Sequence, residues 1–163
     1  MGGSRAVLMV GLFLLASASA PLASSHTQQT LTVILVEDGV VSGNITDPAF
    51  VQGNALWFRM EDNTENTTMK VRLDIDQDGV FNASNDFEST DLVHECELNE
   101  TGALVDEGCA VSATYAFPMN ATVGTYAFWV HRTSNETETV WNHTVAVHKD
   151  VHEEEGPTPG DCF

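Results

Sequence analysis

Positive charge is what this chain has least of. Six Lys and Arg stand against 24 Asp and Glu, for a formal charge of -18 over 163 residues. Nucleic acid needs Lys and Arg along its phosphates, so it is excluded as a partner. The same balance suits cation binding or an acidic surface kept soluble in salt. The motifs of several enzyme classes are also missing: no Gly-x-Ser-x-Gly, no Gly-rich phosphate loop and no His-Glu-x-x-His. No Cys-x-x-Cys pair or Cys/His cluster offers a zinc site. After the first twenty residues no apolar run approaches the roughly 20 residues that span a bilayer. No stretch holds a helical period, which leaves an all-β chain with no catalytic constellation. Binding or architecture is the expected role, with no enzymatic activity.

The N-terminus reads as an export signal. Arg5 supplies the positive start, residues 6–15 the apolar stretch, and Ala18-Ser19-Ala20 a small-residue cleavage site. The expected organisation is a signal peptide at 1–20, one β-sandwich domain at 21–149 and an unstructured acidic tail at 150–163, in a protein that is secreted or displayed on the cell surface. Export makes disulfides expected. Cys96 and Cys109 bracket a polar loop, 97–108, whose closure contributes about 3 kcal/mol on the loop-entropy model. Cys162 is left over for a disulfide-linked dimer.

Seven of the ten asparagines begin an Asn-x-Ser/Thr sequon: Asn44, Asn66, Asn82, Asn99, Asn120, Asn135 and Asn142. That density suggests a surface built for N-glycans. All but Asn82 are expected to carry them, for a reason that lies in the aspartate loop.

Short β-branched and aromatic runs alternate with turn signals. Strands are expected at 30–37, 40–46, 55–60, 67–75, 91–98, 110–117, 123–132 and 137–148, with the last two joined by a polar loop at 133–136. Alternation puts Leu56, Phe58 and Met60 inward, then Met69, Val71 and Leu73, then Tyr126, Phe128 and Val130, then Trp141, His143, Val145 and Val147. Seven or eight such strands fold as an antiparallel β-sandwich of the Ig-like kind. Residues 113–148, ATYAFPMNATVGTYAFWVHRTSNETETVWNHTVAVH, resemble the closing strands of PKD-type Ig-like domains, with a Tyr-x-Phe strand, a Gly-Thr-Tyr turn and a long final hairpin. The resemblance implies an Ig-like sandwich with Tyr126 at its aromatic corner. The family's Trp-Asp-Phe-Gly-Asp-Gly turn is absent, and Leu-Asp-Ile-Asp-Gln-Asp-Gly stands in that region.

That last stretch carries the one chemical motif. In VRLDIDQDGVFNASNDF, residues 71–87, a strand delivers Asp74, Asp76 and Asp78 at alternate positions into Gly79. Calcium takes six to eight oxygens, and alternating aspartates before a Gly wrap a loop around it. The loop resembles those of EF-hand, dockerin and thrombospondin-type repeats. The resemblance implies Asp74, Asp76, Asp78, the Val80 carbonyl, Asn82 and, one residue late, Asp86 as ligands. Asn85 stands where those loops have an acid and would offer one neutral oxygen in place of Asp86. A strand leads in where a hand has a helix, so a structural Ca2+ site is expected, with no sensor role. A glycan on Asn82 would impede closure, so that sequon is expected to stay unmodified.

Two other readings come from single residues. Cleavage after Ser25 would place His26 at the mature N-terminus, as a copper-binding histidine brace requires. The brace also needs a second histidine, but parity puts His131 outward and His143 inward. Trp57 and Trp129 fall on outward faces and would suit a carbohydrate-binding module if exposed. The expected partner is an unidentified protein or glycan at a surface.

Overall fold

The computed structural model describes residues 27–151. The expected signal peptide, His26, Cys162 and the tail from residue 152 lie outside them. Among the described residues there are eight strands and no helix. They are β1 (Thr30–Val36), β2 (Gly39–Val40), β3 (Ala55–Met60), β4 (Thr67–Leu73), β5 (Phe87–Glu88), β6 (Ser112–Ala116), β7 (Gly124–Ser134) and β8 (Thr137–Val147). Two four-stranded sheets, ordered β2-β1-β3-β6 and β5-β4-β7-β8, face each other as a β-sandwich.

Side-chain alternation builds the core. Every second residue of β4 is buried, with Met69, Val71 and Leu73 fully so. They meet Leu56, Phe58 and Met60 of β3 and Tyr126, Phe128 and Val130 of β7. Phe58 and Phe128 touch edge to face across the sheets, 5.6 Å between centroids. The inward set read from parity is therefore the inward set found. His143 belongs to it, stacked 5.5 Å from Phe128, and burial lowers its pKa below the usual 6.5.

Several expected elements differ. The sandwich is antiparallel except where β1 runs parallel to β3. After β2 the chain crosses to the other sheet, where Ile45 bridges Val145 of β8 and Val51 bridges His148 just past its end. It then returns into β3 in the direction of β1. The expected strand at 40–46 is thus mostly a crossing. The expected strand at 91–98 reduces to isolated bridges at its two ends, with Leu92 bridged to Met69 and Ala110. The edge of β4 is instead paired by β5. The loop between β7 and β8 is two residues long, because Asn135 and Glu136 take φ of 48° and 66°. That mirror-image turn matches the twist of a tight hairpin. The Cys96–Cys109 disulfide is formed within the chain and closes a small hairpin in which Leu98 bridges Leu104.

Tyr126 is 2% exposed, and its hydroxyl donates back to the Thr122 carbonyl. A Tyr at the start of a strand bonding the backbone just upstream locks the corner between β6 and β7. Tyr126→Phe keeps the ring and removes one hydrogen bond. The expected loss is about 1 kcal/mol in denaturant unfolding. An unchanged midpoint would show that the hydroxyl contributes nothing.

Candidate metal centre

β4 positions the aspartate loop. Its last rung is the Asp74 amide donating to the Ala127 carbonyl of β7 at 2.9 Å. The Asp74 side chain is thereby drawn inside, 2% exposed, while Asp76 and Asp78 stay at the surface. The chain then reverses through two left-handed residues, Gln77 at φ 60° and Gly79 at φ 82°. Gly79 takes that conformation without steric cost. The carboxylates organise the turn themselves: Asp74 Oδ2 accepts the Gly79 amide at 2.8 Å, and Asp78 Oδ1 the Val80 amide at 2.7 Å.

One oxygen from each of Asp74, Asp76 and Asp78 lies within 4.8 Å of the others, and no other group of three such ligands occurs among the described residues. Oxygens on opposite sides of a calcium ion lie roughly 5 Å apart, twice the Ca–O length, so the spacing fits. Asp74 Oδ1 is buried with no hydrogen-bond partner. A buried carboxylate oxygen without a partner is costly, and three like charges this close repel. A divalent cation among the three would relieve both.

The second half of the loop is arranged otherwise. Asp86 accepts the Ile75 amide on Oδ1 at 2.7 Å and the Asn82 amide on Oδ2 at 2.6 Å. It ties the two limbs of the loop together through the backbone. Asn82 turns its amide oxygen onto the Ser84 amide and hydroxyl, at 3.1 and 2.8 Å. Val80 is exposed, and Asn85 Nδ2 donates to Asp76 Oδ2 at 3.4 Å. The structure therefore gathers the three alternating aspartates, while Asp86 spends both carboxylate oxygens on backbone amides.

Two side chains that sequence reasoning passed over hold the loop to the sandwich. Gln77 Nε2 donates to the Thr122 carbonyl at 3.4 Å, the oxygen that also takes the Tyr126 hydroxyl. Gln77 lies so close over Gly124 that a Cβ there would meet its Oε1 at 2.7 Å. Phe81 covers the Arg72 guanidinium at 4.6 Å, and Arg72 in turn reaches Glu88 at 2.6 Å. That bond holds the Glu88 carboxyl below its usual 4.5.

The remaining candidates are dispersed. His131 points to the outer face, bonded to Glu138 at 2.8 Å, while His143 sits between the sheets, so the two do not converge. Trp57 and Trp129 are half-buried, and Arg59 lies over Trp57. All seven sequon asparagines are exposed, whereas Asn54, which heads no sequon, is fully buried. Among the described residues no helix is long and apolar enough to cross a membrane. Comparison with protein-family models, with curated proteins and with solved structures finds no match, so the reading of this centre rests on its own geometry.

Proposed function

We propose that this chain is an exported, N-glycosylated β-sandwich that one calcium ion staples at the β4–β5 loop, and that it serves at a cell surface or outside it as a binding or architectural module. The observation that carries the reading is the buried, unpartnered Asp74 Oδ1 inside a cluster of three carboxylates. Calcium is the fitting ion because every candidate ligand is an oxygen and two of the three carboxylates are open to solvent, where a large cation that readily sheds its water coordinates in flexible geometry. Asp86 supports a staple over a switch, since its bonds to the two limbs hold the loop closed without help. Export is supported by the Cys96–Cys109 disulfide and by seven sequons that all reach the surface. The likeness to PKD-type Ig-like domains draws support from the Tyr126 corner and from the pairing of β4, β7 and β8 in one sheet.

Calorimetry tests the ion. An ion that binds only the folded state stabilises it by about 2.7 kcal/mol at a hundred times its Kd. Calcium added to chelator-treated protein is expected to raise Tm progressively with concentration, and magnesium to raise it less, because magnesium demands tighter octahedral geometry. An unchanged Tm in millimolar calcium rejects the site.

A further inference from the structure

One cavity of the molecule borders a residue whose chemistry names its occupant. It encloses about 270 Å³ beside the aspartate loop and is walled by Ile75, Tyr115, Phe117, Pro118 and Tyr126, with Asn120 among its lining residues. The walls are a continuous aromatic cluster. Phe117 meets Tyr115 and Tyr126 edge to face, each at 5.0 Å between centroids, and Tyr115 meets Phe87 at 5.2 Å. Tyr115 lines the cavity and is only half-buried among the described residues, so part of its ring is left open there.

Asn120 heads the sequon Asn-Ala-Thr and is exposed at a turn closed by the Ala121 amide on the Pro118 carbonyl, 2.9 Å. That turn is held from both sides. Phe117 anchors it through its amide on the Asn54 carbonyl, 2.9 Å, and Gln52 Nε2 donates to the Ala121 carbonyl. Tyr126 and Gln77 both hold the Thr122 carbonyl. By contrast, the side-chain oxygens of Asn44, Asn82 and Asn99 are engaged by their own neighbourhoods. Asn66 and Asn135 occupy left-handed turn positions, and Asn142 lies exposed on β8.

We propose that Asn120 carries an N-linked glycan whose first N-acetylhexosamine seats in this cavity against Tyr115, so that the sugar completes the core at the end of the sandwich that holds the aspartate loop. The inference rests on the reading of the chain as an exported glycoprotein and adds a structural part for one glycan. In the transfer, Asn120 Nδ2 attacks the anomeric carbon of a lipid-phosphate-linked oligosaccharide. The N–C bond forms, the C–O bond to the lipid phosphate breaks, and the amide proton passes to the transferase. Once attached, the apolar C–H face of the sugar ring covers aromatic surface that is otherwise wet, as amphipathic rings do where one side is apolar and the other faces water. Rigidity of the turn keeps the ordering cost of that contact small.

The test uses the full chain secreted from a cell with an N-glycosylation pathway. Mass spectrometry after enzymatic deglycosylation, which converts a formerly glycosylated Asn to Asp, reads occupancy site by site. Thr122→Val removes the sequon while keeping Asn120 and the Thr122 carbonyl. It is expected to lower Tm by about 4 °C in the glycosylated protein and to leave the unglycosylated bacterial product unchanged. In a Tyr115→Ser background the same replacement is expected to cost nothing, and Asn142→Gln is expected to remove a glycan without moving Tm. Occupancy at other sequons with Asn120 bare overturns the inference alone, as does a Thr122→Val loss that persists in Tyr115→Ser. Absence of glycan from every sequon, in a cell that glycosylates a control protein, overturns the glycoprotein reading with it.

Discussion

Arg132→Met is expected to destabilise the domain by about 3–5 kcal/mol at neutral pH, the cost of leaving a buried charge without its partner. Arg132 lies on the inward parity of β7, at the end of the sandwich, and its Nε reaches Asp62 Oδ2 at 2.7 Å. Asp62 is 3% exposed, and its other oxygen takes the amide and hydroxyl of Thr64 at 3.0 and 2.6 Å. Burial pushes the Asp62 carboxyl up, but the bonds from Arg132 and Thr64 together with the guanidinium charge outweigh it, and the net pKa lies below the usual 3.8. A carboxylate with a depressed folded pKa stabilises fully above its unfolded pKa and loses that contribution as pH falls through the folded value. Wild-type stability from this pair is therefore complete above about pH 4 and fades only in stronger acid. Arg132→Met inverts the sign. Asp62 then keeps its burial without its cation, its pKa rises, and the variant's deficit shrinks as pH falls and the carboxyl protonates. Asp62→Asn added to Arg132→Met is expected to recover part of the loss, since it removes the stranded charge. Urea unfolding at pH 7 and at pH 4.5 reads all of this. A deficit under 1 kcal/mol, or one independent of pH, would show the pair to be ornamental.

That pair also marks where the sequence stops being readable. The parity that puts Tyr126, Phe128 and Val130 inside turns Arg132 inward as well, so an inward-facing, partly buried cation is legible. Its partner is not, because the chain offers 24 carboxylates and Asp62 sits in what reads as a polar acidic loop. The sandwich itself was legible because period-two burial is local: each strand declares its own face. The parallel β1–β3 pair was not, since it depends on where the chain between β2 and β3 crosses, and a two-residue β2 leaves almost no pattern. Residues 91–98 alternate well enough to suggest a strand, but only Leu92 reaches β4, and Leu98 pairs instead within the disulfide hairpin.

In the loop, Asp74, Asp76 and Asp78 were legible because a fixed spacing sets their convergence. The bonds of Asp86 were not legible, because its extra residue lets the carboxylate reach the amides of Ile75 and Asn82. Two nearby backbone donors satisfy a carboxylate without any ion. Gln77 gives no signal at all in the sequence, because its contact with Thr122 and Gly124 comes from the docking of two loops distant in the chain.

Asp74→Asn is expected to give opposite results with and without calcium. As a turn residue, Asp74 only has to accept the Gly79 amide through Oδ2, and an Asn carbonyl oxygen does the same. As a ligand, Asp74 would supply a buried negative oxygen that no group of the described chain engages. In chelator the variant removes one of three clustered charges and a desolvated anionic oxygen, so its Tm should equal or exceed that of the wild type. In calcium the wild type gains the linkage energy, about 2.7 kcal/mol at a hundred times Kd, while the variant gains little. The two melting curves therefore change order as calcium is added. Asp86→Asn separates the two kinds of residue. Because Asp86 bonds both limbs through the backbone, its loss weakens the loop in chelator and in calcium alike, and the calcium increment survives at a weaker affinity. If Asp74→Asn destabilises equally in both conditions, Asp74 is a turn cap and nothing more. If it keeps the full calcium increment, the ion binds elsewhere. A change in order confined to Asp74, Asp76 and Asp78 variants makes those three carboxylates the centre of the loop and Asp86 its clasp.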